Sequence, residues 1–174
     1  ELKVWRAANS EWRVVLGPGS GSFGHVPAKK YGTRAGVSSS DGWRGFAEVW
    51  YEATTLNRIV MAAINAAGVP AISFPISGGA LAQDGQVAAW NLTPLTAALE
   101  NDLLPVVFGD VVFDLARGGT IFSTEDIFRH LARELHPQRI LLAGIDEGVW
   151  ADFPVCTQLI TAITPENYSD MTQS

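Results

Sequence analysis

Val14-Val15-Leu16 feeds directly into Gly17-Pro18-Gly19-Ser20-Gly21-Ser22-Phe23-Gly24, and the stretch closes on His25. Four glycines within residues 17–24 leave a row of backbone N–H groups unobstructed by side chains, the usual way a chain cradles a phosphate. An imidazole placed directly after that cradle can donate a hydrogen bond to the same anion. Two further polar clusters could act on an anion. Gly109-Asp110 follows an apolar run, and Ser123-Thr124-Glu125-Asp126 opens a helical pattern whose N–H groups and hydroxyls can hold an anion or cap the helix. A third turn, Asp146-Glu147-Gly148, follows another apolar run. Phosphate chemistry is the first expectation.

Two other nucleotide signatures compete for this loop. Gly19-Ser20-Gly21-Ser22-Phe23-Gly24 also fits the six-residue dinucleotide fingerprint. That fingerprint needs a second strand ending in an acidic residue roughly 20 positions later. Residues 32–67 instead read as a Gly/Ser loop followed by a long helix. The phosphate-binding loop that ends in Gly-Lys-Ser/Thr is absent from the sequence. His130 and His136 lie on or beside a predicted helix without partner spacing and read as surface residues, and no His, Cys and acidic residues have the spacing of a zinc site.

The elements that must position these groups alternate between strand and helix. Trp12–Leu16, Ala71–Pro75, Leu104–Phe108 and Arg139–Ile145 read as buried strands. Pro27 suits the first turn of a short helix. Phe46, Val49, Trp50, Ala53, Leu56, Val60 and Ala63 recur at helical spacing between Trp43 and Ala67, and Gly68 and Pro70 end that helix. Thr93-Pro94 predicts a helix to Asp102, with Thr93 as its N-cap. Ser123 to Leu135 predicts another, opened by its own caps. Residues 77–91 read as a polar loop with room for a short hairpin, and residues 111–114 and 120–122 pair as a β-hairpin through Arg117-Gly118-Gly119. This order predicts an α/β sandwich with a mainly parallel sheet, whose ligands lie at the carboxyl ends of the strands.

Composition narrows the function classes. The 174 residues fit one domain, 47% of them are apolar and 17% charged, and the chain therefore carries a folded core. A net charge of −6 and only three lysines, all before residue 31, exclude a nucleic-acid surface. No apolar run is long enough to span a membrane, and Cys156, the sole cysteine, suits a reducing cytosol. The first residue is Glu1 rather than Met, which reads as a fragment.

Gly19-Ser20-Gly21-Ser22-Phe23-Gly24-His25 resembles the glycine-rich loop and histidine of the isopentenyl phosphate kinases, members of the amino acid kinase superfamily, and is shared chiefly with the related fosfomycin-inactivating kinase. The resemblance continues through residues 104–112, 121–127, 145–150 and 152–154 in the family's order, so it covers most of the chain. It implies a three-layer α/β/α sandwich formed as a single domain over residues 1–174. It also implies ATP-dependent, Mg²⁺-dependent phosphorylation of isopentenyl phosphate to isopentenyl diphosphate by a cytoplasmic homodimer.

By the same resemblance His25 is the catalytic group, binding the acceptor's phosphate together with Gly19 and Gly24. Gly109, Asp110, Ser123 and Thr124 complete the acceptor pocket. Ser20, Gly21, Asp146, Gly148, Val149 and Trp150 lie on the nucleotide side. Lysine-bearing segments of the family fall ahead of Glu1 and beyond Ser174, so the chain reads as the family's central portion. Where the family usually carries Ser-Gly-Asp-Asp this chain has Ser123-Thr124-Glu125-Asp126, and Ile145-Asp146-Glu147 stands where Asp-x-Asp is commoner. Two other readings stay open: a kinase for another small phosphate or phosphonate, and a non-catalytic module that binds a phosphate ligand.

Overall fold

The computed structural model describes residues 2–144, 147–164, 166 and 168. Its contacts divide into two compact units, Glu1–His136 and Pro137–Ser174.

In the first unit, β1 (Ala71–Ser73) pairs in parallel with β4 (Leu104–Val106). Leu16 adds a parallel bridge on the other side of β4 at Val106. The strand expected over residues 12–16 is thus reduced to that one bridge, and Pro105 supplies the reason. Leu16 donates to the Pro105 carbonyl at 2.9 Å and accepts from Val107 N–H at 2.9 Å. Extending the ladder back by two residues would require an N–H at position 105, which proline lacks.

A second sheet runs in the order β3 (Gln86–Trp90), β2 (Ala80–Gln83), β5 (Asp110–Asp114), β6 (Gly118–Phe122). Here β2 lies parallel to β5, while β2–β3 and β5–β6 are antiparallel hairpins.

Alternation along β4 and β5 makes the layers. Val106 faces a cluster with Leu104, Ile64 and Val69, and Val111 faces Val37, Phe46 and Val49; both clusters use the long helix α3 (Ser40–Ala66). Their neighbours Val107 and Val112 point the other way. They join Ile76, Leu95, Phe122, Ile127 and Leu131, a core built on α4 (Thr93–Glu100) and α5 (Thr124–Leu135). Adjacent strand residues belong to opposite faces, so helices cover both sides of the strands.

Local signals set the helix ends. Ser39 caps α3 by accepting from Gly42 N–H, and Gly68, at φ 69°, turns the chain towards β1. The short α2 (His25–Tyr31) lies between Gly24 and Gly32, both left-handed. α4 starts one residue earlier than expected. Leu92 is its N-cap, and Thr93 N–H is satisfied by the Asn91 side chain, so Thr93 becomes a helical residue rather than the cap. A further short helix, α1 (Leu2–Ala8), precedes the glycine loop.

The second unit carries a small antiparallel pair, β7 (Val149–Trp150) with β8 (Leu159–Ile160). The strand expected over 139–145 is not formed at residues 139–144; Ile145 lies outside the described residues. Ile140, Leu141 and Leu142 are exposed there, so the run has the composition of a buried strand without the burial. No helix among the described residues is long and apolar enough to cross a membrane.

Candidate functional site

The glycine loop is built from two kinds of glycine. A Cβ at Gly17 would stand 2.3 Å from the Phe128 ring and 2.6 Å from Thr124 Cγ2, so this glycine lets α5 pack against bare backbone. Gly19 and Gly21 have no atom within 4 Å of their Cβ positions. Gly21 and Gly24 are left-handed, at φ 53° and 73°, where a side chain is strained. Among the described residues, the N–H groups of Gly19, Ser20, Gly21 and Ser22 have no protein acceptor. The loop is therefore a concentration of free donors with an open approach.

Thr124 fixes that loop to the rest of the site. Its hydroxyl donates to the Pro18 carbonyl at 2.9 Å and accepts from Gly109 N–H at 3.1 Å. One buried side chain thus joins the glycine loop, the connection after β4 and the first turn of α5. Gly109 is required here too, because a Cβ would lie 3.2 Å from the Phe122 carbonyl and from Thr124 N. His25 begins α2, and its Nε2 sits 3.0 Å from Ser20 Oγ. That contact ties the exposed imidazole to the loop. Gly19, Ser20, Gly21, Gly24, His25, Gly109, Ser123 and Thr124 are therefore brought together by backbone continuity and by the Thr124 hydroxyl.

At the start of α5 Ser123 and Asp126 form a reciprocal capping box. Burial would raise the Asp126 pKa, but hydrogen bonds from Ser123 N–H and its hydroxyl, with the nearby Arg34 guanidinium, hold it below the usual carboxylate range. Arg34 reaches it at 2.7 Å from the turn Thr33–Ala35, and Arg129 reaches the other oxygen at 3.2 Å. Sequence reading missed Arg34, which lies in a Gly/Ser-rich loop 92 positions away from Asp126.

Asp110 follows Gly109 but turns inward. Its side chain is fully buried; one oxygen accepts from Ser77 Oγ at 2.6 Å and the other from Val111 N–H at 2.8 Å. Burial pushes its pKa up to about 6, against the opposing effect of those two donors. The carboxyl therefore braces the turn Ile76–Gly78 beside the site, and Ser77 is a second residue that sequence reading did not single out.

The expected nucleotide-side residues lie mostly in the second unit. Gly148 precedes β7, and a Cβ there would meet Leu159 Cδ1 at 3.0 Å, while Val149 and Trp150 pair with Ile160 and Leu159. Asp152 holds the following turn by accepting from Thr157 Oγ1, Thr157 N–H and Gln158 N–H, which lowers its pKa. Asp146 falls outside the described residues. Among the described residues no group of three or more His, Cys, Asp or Glu stands close enough to hold a metal ion.

Known proteins match this arrangement. The model of the amino acid kinase family matches residues 2–174. An isopentenyl phosphate kinase from Methanocaldococcus jannaschii is 30% identical over 156 residues, covering 87% of this chain and 58% of that protein. One from Haloferax volcanii is 35% identical, over 79% of this chain and 55% of its own length. Among solved structures, one of isopentenyl phosphate kinase superposes with a TM-score of 0.75 at 29% identity, covering 81% of this chain and 59% of that one. Another, of an isopentenyl phosphate kinase substrate complex, has a TM-score of 0.72 at 27% identity, covering 82% of this chain and 59% of that one. The chain thus spans less than two thirds of these relatives. Its α/β architecture is the one these kinases share, and the chain belongs to the amino acid kinase family.

Proposed function

We propose that this chain is the central part of an ATP-dependent kinase that phosphorylates isopentenyl phosphate to isopentenyl diphosphate. The observation that carries the reading is the row of free N–H groups from Gly19 to Ser22, with His25 tied to it and Thr124 locking it to Gly109. The four relatives and structures above supply the substrate class, since each bears the name isopentenyl phosphate kinase. Residues 1–174 are read as a single amino acid kinase-like domain.

Phosphoryl transfer requires positioning and neutralisation of spread negative charge more than covalent chemistry. The attacking oxygen belongs to a phosphate that is largely ionised at neutral pH, so no general base is needed. His25 donates to the acceptor's phosphate, and Ser20 holds the imidazole in place until that anion competes for it. The N–H groups of Gly19 and Gly24 orient the acceptor, with Gly109, Ser123 and Thr124 forming the opposite wall and Asp110 bracing it from behind. Ser20 and Gly21, with Asp146, Gly148, Val149 and Trp150, are assigned to the nucleotide. The free donors of the loop and the absence of atoms around Gly19 and Gly21 fit a polyphosphate. ATP supplies the transferred phosphoryl group, and Mg²⁺ arriving with the nucleotide would offset its negative charge.

A cytosolic homodimer is part of the same proposal. The exposed Tyr51 and Ile59 lie on one side of α3 and support a self-association face; light scattering reads it.

The test is ADP release by the full-length protein that contains this chain, with isopentenyl phosphate, fosfomycin and simple alkyl phosphates as rival acceptors. Turnover is expected with isopentenyl phosphate, and His25→Ala should lower kcat/KM about 100-fold or more, the usual effect of losing one charge-stabilising donor. Equal turnover in that variant would remove His25 from the mechanism. Preference for fosfomycin would move the chain to the phosphonate reading. Calorimetric binding without ADP would identify a binding module.

A further inference from the structure

A second polar cleft lies apart from the acceptor pocket, between the outer stripe of α5 and the β2–β3 hairpin. Its volume is about 300 Å³. Arg129, His130 and Arg133 line one side, Gln86 and Val87 the other, and Phe122 lies between them. These α5 residues share one helical face.

The charge balance is favourable to an anion. Asp126 also borders the cleft, but Arg34 and Arg129 both pair with it. Among the described residues Arg133 has no ion pair, so its guanidinium keeps its donors for a ligand. In a chain with 12 basic and 18 acidic side chains, the cleft lining carries two arginines and one carboxylate, with Glu134 in electrostatic reach of His130 beside it. His130 is half-buried and stacked on Trp90, with ring centroids 5.9 Å apart and planes 23° from parallel. Its ring is therefore fixed at the cleft rather than free on the surface, contrary to the sequence expectation. Arg133 lies nine residues along α5 from Thr124, a rise of about 13 Å, so one small ligand cannot engage both ends.

We infer that this cleft is a second anion site, taking a phosphate group between the Arg129 and Arg133 guanidiniums with His130 as a further partner. Guanidinium forks match phosphate oxygens in geometry as well as in charge. The site is independent of the proposed reaction, so either can fail alone.

The probe is inorganic phosphate, followed by the imidazole NMR signals of His25, His130 and His136, the three histidines of the chain. The His130 signal should shift saturably, and the shift should persist in His25→Ala. Arg133→Gln, which leaves the Asp126 network intact, should weaken the response at His130 about tenfold or more, as expected for a lost charge-assisted hydrogen bond. Arg133→Glu should abolish it. A stationary His130 signal, the same shift at matched sodium chloride, or an unaltered titration in Arg133→Gln would each overturn the site. Unchanged His25 and His136 signals in both variants show that the fold survives the substitutions.

Discussion

Two glycine-bearing turns in this molecule gather backbone N–H groups, and they use them in opposite ways. At the tip of the β2–β3 hairpin, the N–H groups of Asp84 and Gly85 meet those of Ala116 and Arg117 from the β5–β6 turn, and all four donate to the Asp114 carboxylate. The chain brings its own anion there. Burial alone would raise the Asp114 pKa, but these donors hold it below the usual carboxylate range. Arg117 then clamps Asp84 at 2.6 Å. The glycine loop has the same kind of donors and no internal acceptor among the described residues. Glycine content does not distinguish a structural turn from a binding turn. What distinguishes them is whether the fold supplies the acceptor.

The largest effect should come from emptying the closed turn. Asp114→Ala leaves four N–H groups without their acceptor and should cost about 3 kcal/mol or more in urea denaturation. A loss below about 1 kcal/mol would mean that water replaces the carboxylate easily, and the contrast between the turns would disappear.

Asp110 gives the next effect, with the opposite sign. Its folded pKa is about 6 against an ordinary 3.8, so between those values the folded protein binds its proton more tightly than the unfolded chain. Stability contributed by this group is complete below about pH 4 and is lost as pH rises to about 6, a change on the order of 3 kcal/mol. Asp110→Asn should match the native protein near pH 4 and gain on it through that window, then hold a constant advantage above it. A difference that does not vary with pH would mean that the burial of Asp110 is not felt as a charge.

Thr124→Val tests how the open loop is anchored. It leaves Gly109 N–H and the Pro18 carbonyl without their partner and should cost about 2 kcal/mol, with Thr124→Ser retaining most of the stability. The smallest effect is expected at Gly21→Ala. Open space surrounds that position, so only the left-handed backbone resists, at about 1 kcal/mol. Phosphate binding at the His25 NMR signal should fall more than stability does. Equal losses in the two would make this loop as structural as the Asp114 turn.

Much of the frame was legible in the residue order. The long helix expected from Trp43 to Ala67 is Ser40–Ala66, and the hairpin expected around Arg117-Gly118-Gly119 is Asp110–Asp114 with Gly118–Phe122. Both rest on local signals: helical spacing, a capping serine and a turn glycine at φ 76°. Of the site, the glycine loop, His25 and the Ser123 cap were legible for the same reason. The tie between Pro18, Thr124 and Gly109 was not, because it joins positions 106 residues apart. Nor were the inward turn of Asp110 onto Ser77 or the reach of Arg34 to Asp126, both of which depend on tertiary packing. The missing length of the first strand was written in the chain, but in its partner: Pro105 removes the donor that Val14 would have used.

The alternation along β5 also bears on how such a chain can change over time. Val111 serves the α3 side and Val112 the α4–α5 side, while Asp110 and Asp114 bond within the structure. Deleting or inserting a single residue between Gly109 and Asp114 would exchange the two faces for everything beyond it. Valines would trade cores, and Asp114 would leave its four donors. Length variation should therefore be kept out of the segment 104–114.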